Sequence, residues 1–216
     1  MDPFRLCLAL GPVAIYLLLL SAINLSRRPL LVSGTGDTAV LGVAVSGLVL
    51  VGPMDLLLPV PTVLRFGAYV WALLIPLYAF GLVLILLIQR PRLVVYNLTP
   101  SELRPILADV ATRLDSEARW AGDCLLLPTL RVQLHLDSFS ALRNVALVAV
   151  GPNQSYSGWR RLELALRAAL EQYEVPRNLR ALTLAAAGTG ILFLLGFAIA
   201  HDPQAVAQAM FEMLRL

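Results

Sequence analysis

Between Arg92 and Asp137 the chain reads RLVVYNLTPSELRPILADVATRLDSEARWAGDCLLLPTLRVQLHLD. Leu93-Val94-Val95-Tyr96 is an unbroken apolar, β-branched run, as in a strand covered on both faces. Thr99-Pro100-Ser101-Glu102 then has capping-box spacing, with Leu98 and Leu103 at the two positions of a hydrophobic staple. Leu103, Ile106, Leu107, Val110 and Leu114 repeat at helical intervals, and Pro105 is expected to distort the first turns. After Glu117 the pattern turns to strands. Trp120-Ala121-Gly122-Asp123 reads as a turn and Cys124 to Leu127 as a short strand ended by Pro128. Leu130, Val132, Leu134 and Leu136 alternate with Arg131, Gln133, His135 and Asp137, so one face is buried and the other wet or bound.

Further along, Asn144 to Val150 is a second continuous apolar strand, expected near the sheet centre. Ser157 is placed to cap a last helix with Trp159, Leu162, Leu166, Ala169 and Tyr173 on its core stripe, and Pro176 stops it. The order strand, helix, strands, helix predicts a small α+β domain over residues 90–180, with its helices on one sheet face.

That domain sits between segments of another kind. Hydrophobic residues make up 58% of the chain and charged residues 14%, far from the roughly half and quarter of a soluble domain. The expected fold is therefore a multi-pass α-helical membrane protein with four transmembrane helices carrying an inserted α+β domain. Apolar runs at about 6–25, 38–58 and 66–88 occupy residues 1–89, and a fourth run covers about 181–200. Ser26 to Asp37 reads as a membrane-edge loop. Gly11-Pro12 and Pro76 are expected kink sites, and Asp55 is expected near the interface. Gly42, Ser46, Gly188 and Gly190 suit close helix packing. Residues 201–216 restart at Asp202-Pro203 as an amphipathic helix on the membrane surface.

All 17 basic side chains are arginine, without a stripe of the kind nucleic acids need. If residues 90–180 are cytoplasmic, the inner flanks carry Arg27, Arg28, Arg90, Arg92, Arg177 and Arg180, and the outer ones Arg5, Arg65 and Arg215. This asymmetry predicts both termini outside a cytoplasmic membrane of bacterial type. The 2 cysteines, Cys7 and Cys124, form neither a disulfide framework nor a metal motif.

Three places in the domain can carry chemistry. The loop from Gly151 to Gly158 joins a strand to a helix N-terminus, where Asn153, Ser155, Ser157, Arg160 and Arg161 would meet an anion, although no phosphate fingerprint is present. The strand face of Arg131, Gln133, His135 and Asp137 would dock a protein partner, or use His135 as a base beside Asp137. Trp120, Asp123 and Cys124 form a third group, in which Leu125-Leu126-Leu127 implies a core cysteine. No catalytic set, metal cluster or cofactor motif assembles, so a non-enzymatic interaction or scaffold module is expected. The alternative is a membrane-bound enzyme or sensor for an anionic ligand at the Gly151–Gly158 loop. A solute path is not expected, since no repeat is visible.

Overall fold

The helix expected after Thr99 forms as α4, Pro100–Leu114, in the computed structural model, which describes residues 3–57, 69–139, 143–152, 154–201, 203–204 and 206–208. Its capping box is present: the Glu102 carboxylate accepts the Thr99 N–H at 2.8 Å and the Thr99 hydroxyl at 2.8 Å. Pro100 occupies the first turn, where its missing N–H costs nothing, and the helix runs unbroken through Pro105. Leu103, Leu107, Val110 and Ala111 are buried, and each leucine contributes about 1.5–3 kcal/mol by leaving water.

The earlier helices are α1 (Pro3–Leu25), α2 (Gly34–Leu57) and α3 (Tyr69–Ile88); the later ones are α5 (Tyr156–Glu171) and α6 (Ala181–His201). The strands are β1 (Leu30–Ser33), β2 (Arg92–Tyr96), β3 (Arg119–Ala121), β4 (Cys124–Leu127), β5 (Val132–Phe139) and β6 (Asn144–Ala149). They form one 6-stranded sheet, ordered β1-β2-β6-β5-β4-β3, with antiparallel neighbours throughout. Ladder partners share a face. Leu31, Val95, Val145, Leu147, Leu125 and Leu134 therefore lie on one side, and they join Leu103, Leu107, Leu162 and Leu166 in a single core. Both domain helices thus cover the same face. Gly158 lets α5 approach closely, because a Cβ there would stand 2.2 Å from the Leu130 carbonyl oxygen.

Several local expectations change. The loop expected at Ser26–Asp37 contains β1, whose Leu30 to Ser33 pair with Tyr96 to Leu93. A strand of 4 residues next to Gly34 and Gly36 is too short to show a period, and only its partner reveals it. The chain divides into two compact units, and this segment belongs with the sheet: one unit is Ser21–Asp37 with Gln89–Leu182. Helix α2 starts at Gly34, before the expected Thr38, with Ser33 Oγ accepting the Gly36 N–H at 3.2 Å. The turn expected at Trp120–Asp123 narrows to Gly122-Asp123, with Gly122 at φ 62°, because Trp120 and Ala121 pair with Leu125 and Cys124. Ser155, not Ser157, caps α5 and accepts the Gly158 N–H at 3.3 Å. Tyr173 lies beyond the end of α5 and is exposed rather than on its core stripe.

The other unit is Met1–Leu20, Thr38–Ile88 and Thr183–Leu216. Among the described residues, 3 helices are long and apolar enough to cross a membrane: Phe4–Leu25, Trp71–Ile88 and Ala181–His201. In the second of them 0% of the residues are buried, and Leu73, Leu77, Phe80 and Leu87 face outward. An exposed apolar surface of that extent is compatible with a membrane-spanning helix. Helices α1 and α3 continue through Pro12 and Pro76. The described apolar part of α2 is shorter, Gly34–Val49. The Asp55 side chain, Arg65 and most of 201–216 lie outside the described residues. Helix contacts use small residues: a Cβ on Gly47 would stand 1.9 Å from the Leu8 carbonyl oxygen, and one on Gly188 3.0 Å from that of Ala14. Gly42 faces Leu82, and its carbonyl accepts the Tyr78 hydroxyl at 2.6 Å, whereas Gly190 faces open space.

Candidate functional site

Strand β5 carries Gln133, His135 and Asp137 on the face that α4 and α5 leave uncovered, since their neighbours Val132, Leu134 and Leu136 enter the core. Arg131 lies outside the strand and is exposed. It precedes β5 in a left-handed conformation, φ 50°, with its N–H donating to Pro128 O at 3.1 Å. This turn delays the start of the strand to Val132, two residues after the expected Leu130.

The register places a further side chain beside the expected set. Cys124 is the ladder partner of His135, and its Sγ lies 3.5 Å from His135 Nδ1. Cys124 is half-buried on the uncovered face instead of in the core, because Leu125 and Leu127, not Cys124, point inward. Leu126 and Gln133 form the next pair on this face, then Arg119 opposite Leu126, and Leu126 is 40% exposed. The result is a shallow mixed patch of thiol, imidazole, carboxylate, amide and one exposed leucine. Sequence spacing could not reveal the Cys124–His135 contact, which depends on the β4–β5 register.

At the Gly151–Gly158 loop the polar groups are occupied internally. Gln154 Nε2 donates to Gln133 O at 3.0 Å and to Val150 O at 2.5 Å, and Gln154 Oε1 accepts Trp159 Nε1–H at 2.9 Å. Ser155 donates its N–H to Arg131 O at 2.9 Å and takes the Gly158 N–H through its hydroxyl, which also contacts Ser157 Oγ at 2.9 Å. The first free donors of α5 are therefore partly capped by the chain itself. Arg160 is 3.5 Å from Glu163, Arg161 is exposed, and Asn153 lies outside the described residues. Gln154 and Ser155 also join this loop to the start of β5, so the two candidate sites share a boundary.

The flank arginines divide into two kinds. Arg92 Nη2 lies 3.1 Å from Asp37, whose carboxylate also accepts the Tyr96 hydroxyl. Arg27, Arg28, Arg90, Arg177 and Arg180 are exposed. Around them one carbonyl in the last turn of α1 and two just beyond its end meet donors from residues 97–178: Asn24 O accepts Asn178 N–H at 3.3 Å, Ser26 O accepts Asn97 Nδ2 at 2.7 Å, and Arg27 O accepts Val175 N–H at 2.9 Å. The first of these bonds satisfies an orphan carbonyl of the helix end. Beside them is a cleft of about 500 Å³ lined by Arg27, Glu174, Val175, Pro176 and Arg177. A second cleft, about 430 Å³, runs between α4 and α5 at Ile106, Val110, Ala165 and Ala169. Among the described residues no group of three or more His, Cys, Asp or Glu is placed to hold a metal ion. No protein-family model, curated protein or solved structure matches the chain.

Proposed function

We propose that the chain is a four-span membrane protein whose cytoplasmic α+β domain acts as a non-enzymatic docking module. The observation that carries this reading is the sheet face of Cys124, Leu126, Gln133, His135 and Asp137, which both domain helices leave uncovered. An exposed leucine among polar side chains suits a protein surface better than a small anion, which needs converging donors. The alternative, an enzyme or sensor at the Gly151–Gly158 loop, draws less support because Ser155 and Gln154 already use the loop's polar groups. The β1–β2 ladder supports the four-span reading, since pairing of Leu30–Ser33 with Leu93–Tyr96 is compatible with an even number of crossings between them.

The test is site-specific photocrosslinking in native membranes. A crosslinker at Leu126 or His135 is expected to capture a discrete protein partner, whereas one at exposed Arg161 is not. Capture from Arg161 alone would favour the loop reading.

A further inference from the structure

From the cleft at Arg27 and Arg177 we infer that the domain grips one phosphoethanolamine headgroup of a membrane lipid, with the arginines on its phosphate and Glu174 on its ammonium. The inference rests on the proposed crossing of the bilayer by α1 and α6. Under that reading Arg27 follows the end of α1 at Leu25 by two residues, and Arg177 precedes the start of α6 at Ala181 by four. Both guanidinium groups then lie at headgroup depth, where cationic pockets meet lipid phosphate.

The charges lining the cleft suit this use. Within the domain Arg104, Arg113, Arg143, Arg160 and Arg167 each stand within 4.0 Å of a carboxylate. Among the described residues, Arg27 and Arg177, like the exposed Arg28, Arg90, Arg119, Arg131 and Arg161, have no such partner, although Glu174 lines the same cleft. Two cations and one anion around about 500 Å³ complement a zwitterion better than a simple anion. Val175 and Pro176, the remaining lining residues, provide none of the aromatic faces that hold a quaternary choline, so the primary ammonium is the better fit. The walls are fixed before any lipid arrives. Val175 N–H is bound to Arg27 O at 2.9 Å, and Arg143, clamped on Glu102 at 2.8 Å, reaches Pro176 O at 3.5 Å.

The experiment is native mass spectrometry of the full chain released from detergent containing equal phosphatidylethanolamine, phosphatidylglycerol and phosphatidylcholine. The expected result is one retained phosphatidylethanolamine, preferred roughly ten-fold over either competitor, the worth of one charge-assisted hydrogen bond. Glu174→Gln should abolish the preference while leaving lipid bound, and Arg27→Gln with Arg177→Gln should remove the retained lipid. Equal retention of the three lipids by the unsubstituted chain overturns the inference, as does displacement of the lipid by excess inorganic phosphate. Should the double variant unfold, the Glu174→Gln selectivity decides. A chain that stays dispersed in buffer without detergent or vesicles would instead overturn the membrane reading itself, which separates the two failures.

Discussion

Glu102 and Asp115 close the two ends of α4, and their carboxylates are set by opposite logic. At the N-terminus Glu102 suits the helix dipole, takes the Thr99 N–H and meets Arg143 through both oxygens at 2.9 and 2.8 Å. At the C-terminus Asp115 opposes the dipole. It is nevertheless 2% exposed and accepts Glu117 N–H at 3.0 Å, Thr129 N–H at 2.8 Å and the Thr129 hydroxyl at 2.9 Å. Burial pushes both carboxyls up, but the donors outweigh it, and both titrate below the usual carboxylate range. Each therefore binds its proton less readily folded than unfolded. The stability it contributes is complete above the unfolded value, about 4, and is lost as pH falls through the lower folded value. Thermal melts of the full chain are expected to show a midpoint that drops between roughly pH 5 and pH 3. The double variant Glu102→Gln, Asp115→Asn should flatten that dependence and lower the midpoint at neutral pH. Glu102→Gln alone should cost about 1–2 kcal/mol. An undiminished acid slope in the double variant would assign acid sensitivity to other groups.

The elements formed where their signal was local. Helix α4 needed only Thr99, Glu102 and a leucine repeat, all within one short stretch, so its start could be read directly. Strand β1, of 4 residues, needed a partner far along the chain and lay hidden beside glycines that resemble a loop, while β3, of 3 residues, was too short to show a period although its partner β4 follows at once. For the same reason Gln133, His135 and Asp137 were legible as one face, while the addition of Cys124 and the loss of Arg131 depended on register and on one turn. Glycine roles were legible only in part. Gly42 and Gly188 lie in close contacts as small residues should, but Gly190 does not, and Gly47 has the tightest helix approach of these. Gly47→Ala is expected to force α1 and α2 apart, because the obstructing atom is a backbone carbonyl that cannot rotate away. Its melting midpoint in detergent should fall, by about 1–3 kcal/mol in stability, whereas Gly190→Ala should be nearly neutral. Equal midpoints for the two variants would contradict the α1–α2 packing.

At the scale of the whole molecule, a hydrogen-bonded ladder constrains the path of the chain through a bilayer. Leu30 to Ser33 pair with Leu93 to Tyr96, so if the chain spans a bilayer it crosses an even number of times between Ser33 and Arg92. Helix α3 contains one candidate apolar span, Trp71–Ile88, so the proposed reading needs one more crossing before it. The four-span reading assigns that crossing to α2, of which the described apolar part is Gly34–Val49. The start of α6 adds the same constraint, because Ser21 Oγ on α1 donates to Ala181 O at 2.9 Å. Under the proposed four-span reading the domain-side flanks are the arginine-rich ones, which is the basis for proposing that side as cytoplasmic. In a chain with Cys7 and Cys124 replaced by serine, single cysteines at Ser26 and Tyr156 should resist an impermeant thiol reagent in intact cells and react once the cells are opened. A cysteine at Thr62, between α2 and α3, should react from outside. Labelling of Ser26 and Tyr156 from opposite sides would break the β1–β2 ladder, while protection of all three would leave α2 and α3 on one side of the membrane and refute the four-span topology.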